Sequence, residues 1–295
     1  MIVSGINFPW YAFGGVRKKV DEIISKTNFE NQTTAVLLDL QTNKVLENYN
    51  KDLKLPLASV TKMVTAVYGI EAIGEDYSFV TRLFMDGKVT NGVLEGNLYL
   101  IGGGDPSLST DDLHNFVDAL KVRGIKEISG YFFYNSEIIP EFLIIDPLQL
   151  PQESFNPGFS GLNLNNNKVL FSWTRKDKNY ELNLGTRSLK SKVSSSHISI
   201  VGKNQGNAVF EYVLERKKRL EKWMVVRKFL GKKGVRWLPV RLSSTYASSV
   251  LYQLCVDSNI SVSKPARLRK NTSGSELIFS YKSKDLSHIL KKMLD

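Results

Sequence analysis

The sequence has 295 residues, of which 42% are hydrophobic and 23% are charged. This composition excludes a disordered tail, a disulfide-rich mini-protein and a collagen-like repeat, and the length predicts about two domains with sizeable cores. Lysine and arginine number 40 against 29 aspartate and glutamate residues, which gives a net charge of +11. The one cysteine, Cys255, cannot form an internal disulfide and has no Cys or His neighbour at metal-ligand spacing, so we predict no metal site and no cofactor.

The amino terminus does not have the pattern of a targeting segment. No apolar run reaches the ~18 residues that a membrane-spanning helix needs. Residues 1–15 are uncharged, but Ser4, Asn7 and Pro9 interrupt them, and a basic n-region and a small-x-small cleavage site are missing. We therefore expect no signal peptide, and either a protein that is not exported as written or a mature form.

Helical and strand patterns alternate in the first part of the chain. Val16 to Lys26 has the apolar spacing of an amphipathic helix. Thr34 to Leu40 and Val45 to Tyr49 are predicted to be two strands joined by a polar turn. A long helical pattern then runs from Ser59 to about Ile73, and Gly74 is suited to end it.

From about Thr81 the pattern changes to short strands separated by glycines. A helix capped by Asp111 or Asp112 is predicted through Leu120, with Gly124 after it. The predicted strands are Thr81 to Met85, Asn97 to Ile101, Ile128 to Tyr134, Val169 to Thr174, Tyr180 to Leu184, Ile198 to Val201 and Val209 to Leu214. Two further helices are predicted at Thr245 to Val256 and at Asp285 to Asp295.

Positive charge is concentrated between residues 216 and 236. The basic residues of this stretch are Arg216, Lys217, Lys218, Arg219, Lys222, Arg227, Lys228, Lys232, Lys233 and Arg236. No aromatic stacking platform and no helix-turn-helix, zinc-finger or RNA-recognition motif accompanies them, so we predict no nucleic-acid partner. The remaining interpretations are a solvated loop between strands and a surface attracted to an anionic polymer.

The sharpest local motif is Ser59-Val60-Thr61-Lys62. A serine at a helix start and a lysine three residues later lie on the same face, about one turn apart. A serine hydroxyl becomes a good nucleophile when a neighbouring base takes its proton, and a lysine with a lowered pKa can be that base. The helix amino terminus adds N–H groups for a developing oxyanion. The alternative is a capping serine beside a surface lysine.

Other candidates have weaker patterns. A second Ser-x-x-Lys, Ser261 to Lys264, precedes Pro265 and alternates like a strand, so we predict no helix there. Gly102 to Pro106 lacks the frame of a P-loop or a dinucleotide site and is interpreted as a turn. The histidines have no carboxylate or cysteine at ligand spacing and are interpreted as structural or solvated; they are His114, His197 and His288.

Several segments, taken in order, resemble the serine penicillin-binding proteins of the D-alanyl-D-alanine carboxypeptidase/endopeptidase type, which have a large insertion after the nucleophile. The resemblance covers almost the whole chain. It rests on Leu57 to Lys62, Phe79 to Leu83, Asn91 to Leu100, Gly102 to Leu108, Phe155 to Asn165 and Arg236 to Arg241.

By this resemblance Ser59 is the acylated nucleophile and Lys62 its base. The implied substrates are peptidoglycan peptides, cleaved at a D-Ala-D-Ala bond or a cross-link, and β-lactams are the implied acylating inhibitors. The implied location is the periplasm or cell envelope. The implied fold class is α/β (α+β), a partial transpeptidase/β-lactamase-like domain with inserted β-rich accessory domains. The corresponding domains are residues 1–80, an insertion at 81–243, and a return to the first domain at 244–295.

The sequence departs from this family pattern in one respect. Such enzymes also use a Ser-x-Asn and a Lys-Thr-Gly motif. This sequence has no Lys-Thr-Gly, and its Ser154-Phe155-Asn156 falls inside the predicted insertion. We therefore expect impaired catalysis from this chain alone, a missing carboxy-terminal half as a partner, and a partly exposed apolar stripe on the Ser59 helix. The rival hypothesis is a catalytically inactive fragment or a peptidoglycan-binding protein.

Overall fold

A computed structural model describes residues 22–177, 179–268 and 274–295. The helix predicted at Val16 to Lys26 lies largely outside the described residues. Within them the chain divides into two compact units, one reaching Tyr68 and the other running from Gly69 to Met293.

Four α-helices and sixteen strands make up the regular structure of the described residues. The helices are α1 (Thr61–Ile73), α2 (Thr110–Val122), α3 (Ser243–Asp257) and α4 (Leu286–Leu294). The strands are β1 (Ala35–Leu38), β2 (Val45–Tyr49), β3 (Val80–Met85), β4 (Lys88–Thr90), β5 (Val93–Glu95), β6 (Leu98–Ile101), β7 (Glu127–Ile128), β8 (Phe132–Asn135), β9 (Lys168–Lys176), β10 (Asn179–Gly185), β11 (Ile198–Lys203), β12 (Phe210–Glu215), β13 (Leu220–Val226), β14 (Lys233–Pro239), β15 (Ala266–Arg267) and β16 (Glu276–Lys282). The mixed α/β fold class is confirmed.

The first unit contains the β1–β2 hairpin and the beginning of α1. The two strands pair antiparallel, with Ala35 opposite Tyr49, as the alternating sequence predicts. The connecting turn is closed by Asp39, whose carboxylate accepts hydrogen bonds from the backbone N–H groups of Gln41 and Thr42. A short aspartate side chain bonded two residues ahead is a common way to fix such a turn.

The second unit has a five-stranded mixed sheet in the order β15-β8-β6-β3-β16. Strand β6 is parallel to β8 and antiparallel to β3, so both kinds of ladder meet in one sheet. Helices α2 and α3 pack against each other and against this sheet. Leu83, Leu100, Phe116 and Phe132 are fully buried between them, which identifies this layer as the core of the unit.

The amino terminus of α2 is capped differently from the prediction. Ser109 is the N-cap: its hydroxyl accepts from the N–H of Asp112, and the Asp112 carboxylate accepts from the N–H of Ser109. This reciprocal pair is a capping box. Asp111 instead binds the backbone N–H groups of Leu189 and Lys190. The predicted cap at Asp111 or Asp112 is therefore wrong, because Ser109 satisfies the end of the helix.

The described residues form three further three-stranded sheets, β4-β5-β7, β10-β9-β14 and β11-β13-β12. Phe171 of β9 meets Phe210 of β12 edge to face, which joins the last two sheets, and Phe210 meets Trp223 of the neighbouring strand β13 in the same way. Trp223 is fully buried. Edge-to-face ring pairs of this kind stabilise a sheet interface beyond their buried area.

The basic stretch between residues 216 and 236 is not a solvated loop. It contains β13, the central strand of its sheet, and most of β14, which pairs with β9. The solvated-loop interpretation is therefore wrong. The single strand predicted at Ile128 to Tyr134 is also divided, into β7 and β8, because Gly130 packs directly on the Gly96 carbonyl.

Asn165, Asn166 and Asn167 all adopt left-handed backbone angles, with φ of 53°, 55° and 53°. Asparagine tolerates this conformation better than most residues because its side chain bonds locally. The Asn165 side chain accepts from the Thr110 N–H and donates to the Thr110 and Tyr246 hydroxyls. The turn thus connects the start of α2 to α3.

Among the described helices, none combines the length and apolarity that crossing a lipid bilayer requires.

Candidate functional site

Ser59 lies in a tight turn at the entrance to α1. The preceding Ala58 has φ of 45°, a left-handed conformation that a residue with a Cβ rarely adopts. A 3-10 turn covers Ala58–Val60, and the α-helix starts at Thr61. The predicted helix is confirmed, but its α-helical part begins two residues after Ser59.

Backbone hydrogen bonds hold this turn. The Val60 N–H donates to the Leu57 carbonyl at 2.9 Å, and the Thr61 N–H donates to the Ala58 carbonyl. These bonds are the tighter i to i−3 kind, which is common in the first turn of a helix. Left-handed residues concentrate at functional sites, where the surrounding structure has to hold them against a cost of about 1–3 kcal/mol.

Lys62 is the second residue of α1 and follows Ser59 by three positions. The structure places both residues on one continuous helical segment, one turn apart, and both are exposed. A hydroxyl and an amine at this spacing on an accessible helix start can act together on a substrate that approaches from solvent. Gly74, with φ of 85°, ends the helix as predicted.

The apolar stripe of α1 is largely exposed. Met63 is 60%, Val64 63% and Val67 62% accessible, whereas Ala66 is buried. The predicted exposure of this stripe is confirmed. Contiguous apolar surface of this kind is typical of an association surface.

The second Ser-x-x-Lys motif does not form a helix. Ser261 makes an isolated parallel bridge with Glu127, and its N–H donates to the Lys126 carbonyl. The chain then continues extended toward β15. The prediction from Pro265 and from the alternating pattern is confirmed, and the motif lacks the geometry of a helical serine–lysine pair.

The glycine-rich segment Gly102 to Pro106 is a packed turn rather than a phosphate site. A Cβ at Gly103 would lie 2.0 Å from the Val80 carbonyl oxygen, and one at Gly102 would lie 2.3 Å from that of Gly161. Asp105 closes the turn by accepting from the N–H and hydroxyl of Ser107. Burial raises the pKa of Asp105 despite these bonds. The turn interpretation is confirmed.

The histidines have different environments. His114 lies 3.0 Å from the Ser191 hydroxyl, and His288 is exposed on α4. His197, in contrast, is buried with Ser195 and Glu221. Sequence reasoning missed this cluster because Glu221 lies 24 residues from His197 and within the basic stretch. The cluster has no exposed member, and its partners are backbone and side-chain groups of the core, so it is structural.

Comparison with models of protein families identifies the family of this chain. The family model of D-Ala-D-Ala carboxypeptidase 3 (S13) matches residues 16–295. The chain therefore belongs to the D-Ala-D-Ala carboxypeptidase 3 (S13) family.

Curated relatives match over part of the chain. D-alanyl-D-alanine carboxypeptidase DacB of Haemophilus influenzae is 32% identical over 125 residues, which is 42% of this chain and 26% of that protein. D-alanyl-D-alanine carboxypeptidase of Actinomadura sp. is 28% identical over 116 residues, 39% of this chain and 22% of that protein. The matched part thus spans about a quarter of the relatives' length.

The fold is similar to that of a solved structure, penicillin-binding protein 4 (dacB) from Haemophilus influenzae. The match has a TM-score of 0.68 at 22% identity and covers 88% of this chain and 58% of that one. A second structure of that protein, in complex with a β-lactam, gives a TM-score of 0.65. The likeness covers most of the chain, so the fold is similar to that of this penicillin-binding protein.

Proposed function

We propose that the chain takes part in serine-type D-Ala-D-Ala carboxypeptidase or endopeptidase chemistry, with Ser59 as nucleophile and Lys62 as base. The observation that supports this most directly is the placement of Ser59 and Lys62 one turn apart at the entrance of α1, within the S13 family match. The proposed scissile bond, between two D-alanines, is inferred from the relatives, which are named as D-alanyl-D-alanine carboxypeptidases.

The proposed reaction has two steps. The Ser59 Oγ attacks the carbonyl carbon of the penultimate D-Ala while Lys62 Nζ takes the hydroxyl proton. The bond to the terminal D-Ala nitrogen breaks, that nitrogen receives the proton, and an ester to Ser59 remains. Water then hydrolyses the ester and restores the serine.

The proposed substrates are peptidoglycan peptides, and the proposed location is the periplasm or cell envelope. The proposed domain division is that of the family pattern, with residues 1–80 and 244–295 forming one domain around an insertion at 81–243. A polypeptide that supplies the Ser-x-Asn and Lys-Thr-Gly motifs is the proposed partner.

The test is D-alanine release from a synthetic pentapeptide that ends in D-Ala-D-Ala, followed at high protein concentration because we propose that catalysis by this chain alone is impaired. Ser59→Ala should abolish release, and Lys62→Met should slow it by about 10²- to 10⁴-fold, the usual contribution of a positioned base. Ser261→Ala and Lys264→Met are matched controls in the second motif and should leave the rate unchanged. Release that depends equally on both motifs would contradict the proposal.

The second candidate function is peptidoglycan binding without catalysis. The exposed lysines on either side of β13 favour it, among them Lys217, Lys228 and Lys232 in the connecting segments and Lys233 at the start of β14. Binding driven by these charges would weaken as salt rises, because exposed charges are screened over about 10 Å at 0.1 M salt. Sedimentation with purified cell walls at 50 and 500 mM salt separates the two functions when it is run beside the release assay.

A further inference from the structure

A cleft of about 220 Å³ lies in the second unit, and neither Ser59 nor Lys62 is among its lining residues. Its lining residues are Glu141, Leu143, Leu214, Arg216, Arg219 and Leu242. Two arginines thus face the same space as three leucines. The cleft is smaller than the pockets of about 300 to 1,000 Å³ that hold drug-sized molecules, so its ligand is one small group rather than a whole chain.

Arg219 is held rigidly at the cleft. Its Nη2 donates to both carboxylate oxygens of Glu141 at 2.8 Å, and its Nε donates to the Thr245 hydroxyl at 2.7 Å. It is the last residue of the β12–β13 turn and has a left-handed φ of 51°. A guanidinium fixed from two sides is pre-organised, so little side-chain entropy is lost when it binds a ligand.

Glu141 does not give the cleft a negative charge. Its side chain is 9% exposed, and its oxygens also accept from the Ser244 hydroxyl at 2.6 Å and lie 3.6 Å from Arg267 Nη1. One carboxylate therefore faces the guanidiniums of Arg219 and Arg267, and it accepts three hydrogen bonds from Arg219 and Ser244. The two guanidiniums outweigh its negative charge, which disfavours a cation at this place.

Arg216 completes the positive side of the cleft. It is exposed, three residues before Arg219 in the same turn, and it lines the cleft. With Arg216, Arg219 and Arg267 against Glu141, the local charge is positive by two. Arginine binds carboxylates with two parallel hydrogen bonds, and the apolar walls from Leu143, Leu214 and Leu242 suit a short aliphatic group next to that carboxylate.

We propose that this cleft is an accessory binding site for a free carboxylate, with its adjoining aliphatic group, on a peptidoglycan peptide. The choice of ligand rests on the proposed function, whereas the preference for a carboxylate follows from the cleft itself. Arg216 reaches the ligand from solvent, Arg219 supplies a fixed donor surface, and the leucines cover the aliphatic part.

The experiment is calorimetric titration in the Ser59→Ala background, where the peptide is not turned over. The probe is a synthetic pentapeptide that ends in D-Ala-D-Ala and has a side carboxylate on a D-glutamate residue. Its matched control is the same peptide with that carboxylate converted to an amide. Arg216→Gln removes one guanidinium at an exposed position where folding does not depend on it. Lys217→Gln removes the same charge from the neighbouring residue, which does not line the cleft.

We expect Arg216→Gln to raise the dissociation constant about tenfold, as loss of a charge-assisted hydrogen bond does, and Lys217→Gln to change it less than twofold. Amidation of the peptide should weaken binding at least as much as Arg216→Gln, because it also weakens the contact with Arg219, and the combined change should be smaller than the product of the two separate factors. Equal effects of Arg216→Gln and Lys217→Gln would overturn the proposal, as would equal binding of the acid and the amide.

Failure of the accessory site can be told apart from failure of the proposed catalytic function. Adduct formation at Ser59 by a β-lactam is measured separately from peptide binding in the Ser59→Ala variant. If the adduct forms in the parent protein but its Ser59→Ala variant does not bind the acid peptide, the accessory site is wrong and the catalytic proposal stands. If the peptide binds through Arg216 and no adduct forms, the catalytic proposal fails and the site stands. Displacement of the peptide by a single-stranded oligonucleotide more strongly than by free glutarate would assign the cleft to phosphate and overturn the carboxylate.

Discussion

His197 and Glu221 form a buried pair in which the imidazole Nε2 lies 3.2 Å from Oε1 of the carboxylate. The carboxylate also accepts from the backbone N–H groups of Arg241 and Leu242 at 2.9 and 2.8 Å, and from the Tyr212 hydroxyl. Because an ionised carboxylate only accepts, Nε2 carries the hydrogen of this pair. Through these hydrogen bonds Glu221 of β13 holds Arg241 and Leu242, the two residues before α3, against this strand.

This arrangement predicts a loss of stability in acid. Burial alone would raise the pKa of Glu221, but the hydrogen bonds from His197, Leu242 and Arg241 outweigh it and hold the pKa below its ordinary value of 4.5. A carboxyl whose pKa is lowered by folding stabilises the protein fully above the ordinary value, and that stabilisation disappears as pH falls through the folded-state value. Urea unfolding between pH 7 and pH 3 should therefore show a decline below about pH 4.5.

Glu221→Gln is the corresponding variant. It should lower the free energy of unfolding at pH 7 by about 3 kcal/mol, since one member of a buried charged network is removed. Its remaining stability should fall less steeply in acid than that of the parent protein. Glu211→Gln, on the neighbouring strand β12, breaks a half-exposed pair with Lys203 and should cost no more than about 1 kcal/mol. Equal losses in the two variants would contradict the account of Glu221.

The left-handed asparagine turn gives a second prediction. Asn165→Ala removes three hydrogen bonds to Thr110 and Tyr246 as well as a residue suited to positive φ, so it should destabilise the protein by about 2–4 kcal/mol. Asn166 is exposed, so Asn166→Ala should lower the free energy of unfolding only by the about 1–2 kcal/mol that a left-handed backbone costs alanine. Asn166→Gly should be tolerated, because glycine adopts positive φ without this cost. Thermal and urea unfolding measure these differences. A larger loss in Asn166→Ala than in Asn165→Ala would refute this explanation.

A third prediction concerns Ala58. Its φ of 45° suits glycine and strongly disfavours a β-branched side chain. Ala58→Gly should preserve the turn that presents Ser59. Ala58→Val should rearrange it and slow acylation of Ser59, on the order of 100-fold if the hydroxyl moves by about 1 Å. The rate of adduct formation with a β-lactam checks this, and circular dichroism confirms that the variants fold. Equal rates in the two variants would show that the turn does not position Ser59.

Elements with clean periodicity were predictable from the sequence. The hairpin strands β1 and β2, the long helix α1 and the terminal helix α4 all follow local apolar patterns and turn residues. The catalytic candidates Ser59 and Lys62 also came from local spacing. Ala58 was not predictable as a left-handed residue, because alanine has no intrinsic preference for that conformation and the surrounding turn imposes it.

Strands β13 and β14 were missed because charge masks their alternation. In β13 the inward positions include Glu221 beside the apolar Trp223 and Val225, so one buried position looks solvent-exposed in the sequence. The partner that makes this burial possible, His197, is distant in the chain. The hydrogen-bonded pair of Glu141 and Arg219 likewise joins residues that are 78 positions apart in the chain. Contacts of this kind arise from the tertiary fold and leave no local periodicity.

The most direct measurement for the central claim is the intact mass of the protein after incubation with a β-lactam. The account predicts one covalent adduct per chain in the parent protein and in Ser261→Ala, and none in Ser59→Ala. A folded sample without any adduct, or an adduct that persists in Ser59→Ala, would contradict the assignment of Ser59 as the nucleophile.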